Sequence, residues 1–414
     1  MKKLLILGGN ATETVIVEKA KELGVYTIVT DNHEDWSCSP AKEAADEGWN
    51  ISWSDVEELA YRCKECNVDG VLAGFSEFRV ENMIRLCQIL GLPCYININQ
   101  LNITRNKRKF KDLCLSYDIP CVREFFYGGD AGHISFPVII KPVDRAGSIG
   151  INVAHNMMEF EEYYDKAKSL SVSGDVILEE FIDDGVKIDV YYLIQDGNVL
   201  FIGSNDTVMY DNRYGNEIMQ NAWTFPSKYE TDYLNKIDGK AKKMIHDLGF
   251  IDGYATMSAF YKDGNFYFFE AGFRLSGEMS FNYYNVHTGI DYLKSMILYS
   301  VGDKKEIPTF VEVKSCDEKR NFTILNFFGR SGKIGRIEGV EECMSLEHVI
   351  SFVSYVKEGD VINNIPGGVI KKIAMCTVCT DEEEEMKMVL DKIKTAYNVL
   401  SVDGRDLIFE YSFQ

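Results

Sequence analysis

The chain has 414 residues, 46% of them hydrophobic and 26% charged, enough for about two to four cored domains, with no repeat and no Ser-, Pro- or Gln-dominated stretch. Its formal net charge of −20, from 44 Lys+Arg against 64 Asp+Glu, lacks the basic footprint of a nucleic-acid-binding protein. The apolar run at 4–7 stops at Gly8-Gly9, too short for a secretory signal, and no run reaches the roughly 18 apolar residues of a membrane span; the reading is a cytoplasmic protein.

The first hundred residues predict alternating strand and helix. A short strand at 4–7 leads to a helix with Val15, Ile16, Ala20 and Leu23 on one face, then a strand at 25–29. A helix over 55–66, a strand at 70–73, a helix over 80–90 and a strand at 94–95 follow. This series predicts a parallel βαβ sheet with helices on both faces. Gly8-Gly9 does not complete a dinucleotide fingerprint. The third glycine is missing, and Glu13 would face the pyrophosphate.

The pattern changes at Thr104. A basic helix over 105–111 precedes a strand at 137–141, a Gly-rich turn, a strand at 151–153, a helix over 159–169 and a strand at 176–180. A hairpin turning at Asp196-Gly197-Asn198 comes next, then a long polar and aromatic loop over 208–226. One amphipathic helix is predicted over 230–248, followed by a hairpin of 253–262 with 266–270 through Asp263-Gly264-Asn265. The last hundred residues mix short strands and helices.

Three segments carry chemistry. In Val138-Ile-Ile-Lys141-Pro-Val-Asp-Arg-Ala-Gly147-Ser148-Ile-Gly150, a strand delivers a lysine, a compact charge suited to phosphate oxygens. Gly147 and Gly150 let backbone N–H groups approach phosphates, and Ser148 adds a hydroxyl. The end of the strand at 176–180, Glu179-Glu180-Phe181-Ile182, offers a carboxylate, backbone groups and an apolar side chain to an adenine ring. In Glu270-Ala-Gly-Phe-Arg274, a strand-end carboxylate can ligate Mg²⁺ and an arginine can hold an anion bidentately. Each also has a plainer reading as a surface hairpin, a strand-end acid or a surface ion pair.

Their order and spacing resemble the ATP-grasp superfamily, over roughly residues 1–300. The resemblance implies an α/β and α+β multidomain chain: a pre-ATP-grasp domain at 1–104, a lid at 105–190, a catalytic subdomain at 191–309 and a small mixed C-terminal domain at 310–414. By position it assigns Lys107, Lys141 and Gly147–Gly150, with Ser148, to ATP phosphates. Glu179 takes the adenine amino group, Glu180 and Ile182 offer backbone contacts, and Asp189 is the ribose acid. Glu270 binds Mg²⁺ and Arg274 stabilises the phosphorylated intermediate or the γ-phosphate.

The implied reaction is ADP-forming: a small-molecule carboxylate is activated as an acyl phosphate and captured by an amine. ATP and Mg²⁺ are the cofactors, nucleic acid and membrane are not partners, and a homodimer is compatible. His287 and Arg213 are further candidate substrate contacts. Two departures from the family pattern are Ser258, where a first metal-binding acid is expected, and Gly272, where an asparagine is expected. They leave open a non-catalytic nucleotide-binding protein with a degenerate metal site, beside a carboxylase- or purine-pathway-type enzyme. The eleven cysteines form no disulfide framework. Cys63/Cys66 and Cys376/Cys379 have Cys-x-x-Cys spacing, but a strand over 373–378 would turn its pair to opposite faces, so reduced thiols are preferred to zinc.

Overall fold

The computed structural model describes residues 1–127, 134–145, 149–209, 219–305, 307, 320–364 and 371–409. Four parallel strands open the chain, in the order Glu47–Trp49, Tyr26–Thr30, Lys3–Leu7, Gly70–Leu72. Leu4, Leu5, Ile6 and Leu7 are all fully buried, as a parallel strand covered on both faces requires. The helices Ala11–Glu22, Pro40–Ala44 and Val56–Cys66 connect the strands, and Glu77–Leu90 follows the last of them. Asp55 caps Val56–Cys66 by accepting from the Glu58 N–H, and the helix ends at Asn67 in the left-handed region. The expected strand at 94–95 does not form, Tyr95 being a bend, and Glu47–Trp49 supplies the sheet's edge instead.

The reason for Gly8-Gly9 is close packing. A Cβ on Gly8, whose φ is +99°, would lie 2.2 Å from the Arg79 guanidinium carbon, and one on Gly9 would lie 1.8 Å from Ser39 Oγ. Arg79 Nη1 donates to Glu13 Oε1 at 2.7 Å, so Glu13 has a cationic partner where a dinucleotide site would hold a pyrophosphate.

A second sheet is antiparallel, in the order Glu124–Phe125, Val176–Glu180, Val138–Pro142, Asn152–Ala154. The helix Met157–Leu170 lies on it, and Phe160, Ala167, Val138, Ile140 and Leu178 form a core separate from the rest of the molecule. Burying Phe160 alone contributes about 1.5–3 kcal/mol to this core.

The main sheet has eight antiparallel strands, in the order Asn265–Gly272, Gly253–Lys262, Val186–Gln195, Asn198–Met209, Gln220–Phe225, Asn321–Phe328, Lys372–Thr380, Val349–Ser354. Its hairpins at Asp196-Gly197 and Asp263-Gly264 have positive φ at both turn residues, the two-residue turn that matches strand twist. A small sheet, Val361–Ile362, Gly332–Glu338, Asn398–Ser401, completes the fold.

This topology revises the expected boundaries. Gln220–Phe225 pairs with Asn321–Phe328, so one sheet runs through the expected division at 309/310. Val186–Gln195 belongs to the main sheet, which ends the lid sheet at Glu180. The helices Ile98–Arg105 and Lys107–Ser116 pack on the strand Asn265–Gly272, and the second also reaches the lid sheet through Arg108 and Lys111. The predicted helix at 230–248 is two helices, Glu230–Lys236 and Asp238–Asp247, broken at Ile237 with ψ −41° and φ −123°. The expected loop at 208–226 is largely strand at its ends, and 210–218, with Arg213, lie outside the described residues.

Candidate active site

Lys141 leaves the lid strand Val138–Pro142 and bonds to Glu179 on the adjacent strand Val176–Glu180. The other Glu179 oxygen accepts from Lys111 Nζ at 2.7 Å. Glu179 is fully buried and both lysines are nearly so. Burial pushes the Glu179 carboxyl up, and the Lys141 and Lys111 charges more than offset it, holding it below the usual carboxylate range. Glu179 is thus first a clamp on two lysines. With about four acceptor positions on a carboxylate, an adenine amino group would be an additional partner rather than its sole one.

Lys107, four residues before Lys111 and on the same helix face, donates to the Arg145 carbonyl at 2.5 Å, beside the Gly-rich turn. Gly147 and Ser148 lie outside the described residues. Gly150 is in the left-handed region, and a Cβ there would lie 2.9 Å from Pro142 Cγ, so the turn itself requires glycine. The Glu180 N–H donates to the Arg123 carbonyl at 3.0 Å, which leaves it unavailable to a nucleobase; Ile182 follows just past the strand end.

On the main sheet, the register places Glu270 opposite Ser258 and Ser258 opposite Asp189. Directly opposed residues share a face, so these three form a row. The register shifts between Ser258 and Ala259, a bulge that inserts Phe269, and Phe269 stacks on Phe260 at 5.1 Å. Phe269 and Glu270 are thereby turned to the same face. The Lys141 ammonium sits 5.0 Å from the Phe269 ring centre, which brings the lid lysine to the Glu270 strand.

Glu270 is half-buried and makes no hydrogen bond or ion pair among the described residues, so its oxygens fit a divalent cation. Asp189 is otherwise engaged. It accepts from Lys187 Nζ at 3.1 and 3.0 Å, from Ser258 Oγ at 2.5 Å and from Thr207 Oγ1 at 3.4 Å. Asp189 thus belongs to the row beside Ser258, and in the expected ribose role it would have to exchange some of these donors for the sugar hydroxyls.

Arg274 follows this strand. Its Nε donates to Glu77 Oε2 at 2.9 Å and its Nη1 to the Leu275 carbonyl at 2.8 Å, so the first turn of the helix Glu77–Leu90 orients it while other guanidinium N–H groups have no partner among the described residues. His287 stacks on Tyr283 at 5.2 Å, and burial pushes its imidazole down, as for a packed histidine. Burial pushes the Cys63 thiol up to about 12 and the Cys376 thiol well above its usual range. No group of three or more His, Cys, Asp or Glu placed to hold a metal ion occurs among the described residues.

Sequence reasoning missed Lys111, Lys187 and Glu77. The spacing of Lys107 and Lys111 was a usable signal for the first. The other two are defined by partners 2 to 197 residues away.

A lysine-bearing antiparallel sheet facing an acid-bearing one, behind a parallel N-terminal domain, is the ATP-grasp fold. Residues 129–307 match the family model described as carbamoyl-phosphate synthase L chain, ATP binding domain. A formate-dependent phosphoribosylglycinamide formyltransferase of Prochlorococcus marinus (strain NATL2A) is 27% identical over 263 residues, 60% of this chain and 64% of that protein. The chain thus spans a little under two thirds of that relative's length. Among solved structures, L-amino acid ligase from Bacillus licheniformis superposes with a TM-score of 0.77 at 20% identity, covering 97% of this chain and 99% of that one. The biotin carboxylase domain of Hydrogenobacter thermophilus 2-oxoglutarate carboxylase, a dimer in complex with MgADP and bicarbonate, gives 0.78 at 19% identity over 98% and 91%.

Proposed function

We propose that the chain is an ADP-forming ligase that uses ATP to activate a small-molecule carboxylate for attack by an amine. The observation that carries this is the approach of Lys141, on the lid sheet, to Phe269, next to Glu270, which has no hydrogen-bond or ion-pair partner among the described residues. A cation suited to phosphate and an acid suited to a metal are thereby brought near each other from two sheets.

A carboxylate is a poor electrophile because its charge repels nucleophiles and oxide leaves badly. Its oxygen attacks the γ-phosphorus of ATP, ADP departs, and the resulting acyl phosphate is captured by the amine with loss of phosphate. The chain's residues position and neutralise charge. Lys141, oriented by Glu179, faces phosphate oxygens, and Lys107 holds the base of the Gly-rich turn through Arg145. Arg274, fixed by Glu77, presents its remaining N–H groups to the acyl phosphate. Glu270 would hold a Mg²⁺, which when bound neutralises charge on the β- and γ-phosphates.

The test is ADP release across a matrix of amino acids and other small carboxylates with amines. ADP dependent on both partners supports the ligase; ADP formed with bicarbonate alone moves the chain to the carboxylase type. Nucleotide binding with no ADP under any mixture favours the non-catalytic reading, which Ser258 and Gly272 motivate.

A further inference from the structure

The turn that ends the helix Glu77–Leu90 occurs twice in the chain, each time between two cysteines. The first reads Cys87-Gln-Ile-Leu-Gly-Leu-Pro-Cys94 and the second Cys114-Leu-Ser-Tyr-Asp-Ile-Pro-Cys121. In both, the leading cysteine lies in the last turn of a helix, and its carbonyl accepts from an N–H beyond the helix end. The donors are Leu92 at 3.0 Å and Ile119 at 3.0 Å. Gly91 and Asp118, with φ of +66° and +53°, turn the chain in the left-handed region. The chain thus folds back and sets the second cysteine against the first, with the two thiols of each pair in hydrogen-bonding reach.

The first pair also opens on a cavity. A space of about 210 Å³ is lined by Cys94 together with Gln88, Asn97, Ile251 and Tyr299. It is small for a drug-sized ligand but holds a small oxidant, since a water molecule's share of liquid volume is about 30 Å³. Cys94 is partly exposed, whereas Cys87 is buried behind it, and both are free thiols.

We propose that Cys94 is an oxidation site for hydrogen peroxide and that Cys87 captures the oxidised sulfur as a Cys87–Cys94 disulfide. The thiolate is the reactive form of a cysteine. The Cys87 thiol, donating to the Cys94 sulfur, holds the Cys94 thiol below its ordinary range against the opposing effect of burial. The same bond, with burial, pushes Cys87 up, so the accessible sulfur is the nucleophile and the buried one the resolving thiol. The Cys94 thiolate attacks one peroxide oxygen and the O–O bond breaks. Sulfenic acid forms, and the departing hydroxide takes up the proton Cys94 had released. The Cys87 sulfur then attacks the Cys94 sulfur, the S–O bond breaks, and hydroxide leaves with the Cys87 proton as water. Two thiols are oxidised and one peroxide is reduced to two waters. The new bond ties the end of the helix Glu77–Leu90, whose first turn holds Arg274, to the chain entering the helix Ile98–Arg105.

This site is independent of the ligase reading, and its chemistry needs no nucleotide. In the test, the reduced full chain is treated with hydrogen peroxide, alkylated with N-ethylmaleimide and digested with trypsin without reductant. Cleavage after Arg85 and Arg105 leaves both cysteines in one peptide, 86–105. The disulfide is then read as a peptide that has lost two hydrogens and takes no alkyl group. It should accumulate at least ~10-fold faster than thiol is lost at the buried Cys63 and Cys376, and dithiothreitol should restore both thiols. Cys87→Ala removes the resolving thiol, so dimedone should label Cys94 in that variant. Cys94→Ser should leave Cys87 unlabelled. The proposal is overturned by a peptide 86–105 that keeps both thiols or loses them no faster than Cys63. A bond from Cys94 to any other cysteine, no dimedone on Cys94 in Cys87→Ala, or dimedone on Cys87 in Cys94→Ser also overturns it. If either variant does not fold, the wild-type peptide decides: the disulfide within 86–105 supports the proposal and its absence overturns it.

Discussion

Replacing Glu179 by Gln keeps the shape of the side chain and removes the negative charge shared by Lys111 and Lys141. At 2.7 Å, the Lys111–Glu179 attraction alone is about 6 kcal/mol at an effective dielectric constant near 20, before the cost of burying the charges is subtracted. Removing one member of such a buried group leaves the others uncompensated and typically costs about 3–5 kcal/mol. Urea unfolding of the Glu179→Gln variant should show a loss of that size. Nucleotide should recover part of it, because phosphates would supply the missing charge to Lys141. The acid limb gives a second readout. Glu179 is held below its ordinary value of 4.5, so its stabilisation is complete above that value and is lost as pH falls through the lower folded value. Glu179→Gln should flatten this dependence below pH 4.5. A variant within ~0.5 kcal/mol of wild type, with an unchanged acid limb, would refute the clamp.

Lys141→Ala should weaken MgATP binding by about 10-fold or more through loss of a charge-assisted contact; equal affinity by calorimetry removes Lys141 from the phosphate site. Glu270→Gln should lower turnover at least ~100-fold and weaken Mn²⁺ binding followed by electron paramagnetic resonance, while nucleotide still binds; unchanged turnover rejects the metal assignment. Amide exchange across Val138–Glu180 should slow when an ATP analogue is added, as closure of a lid requires; identical exchange with and without the analogue contradicts a lid. Glu77→Gln should reduce kcat more than it raises KM, because Arg274 loses its orientation and not its charge; a pure KM effect would reject that role.

The local elements were legible because their signals are local. The buried run at 4–7 and the Asp-Gly turns at 196 and 263 each state their own conformation. Pairing between distant strands carries no such signal. Nothing in 220–225 says that it meets 321–328, so the sequence suggested a boundary at 310 where one sheet continues. The site divided in the same way. Lys141, Glu179 and Glu270 stand at strand ends in a recognisable order, whereas the role of Glu179 depends on Lys111, 68 residues away. The break at Ile237 escaped because Tyr233, Ile237 and Ala241 keep helical spacing across it, and all three are buried as one apolar stripe.

The departure at Ser258 has a consequence for how charge is arranged in the cleft. A carboxylate there would face Asp189 across the strand pair, two like charges opposed, which is destabilising. A hydroxyl instead donates to Asp189 at 2.5 Å, and Lys187 supplies the counter-charge to the same acid. The row thus presents one uncommitted carboxylate, Glu270, beside a neutralised group. One carboxylate with phosphate oxygens and waters suffices for a single Mg²⁺, and Gly272 adds no further ligand side chain. The arrangement therefore favours a site in which the lysines and Arg274 carry more of the charge neutralisation than a second metal would. In such a site, loss of the Lys187–Asp189 pair disturbs the hydroxyl at Ser258 before it disturbs Glu270, since the hydrogen bond runs from Ser258 to Asp189 and none joins either to Glu270 among the described residues.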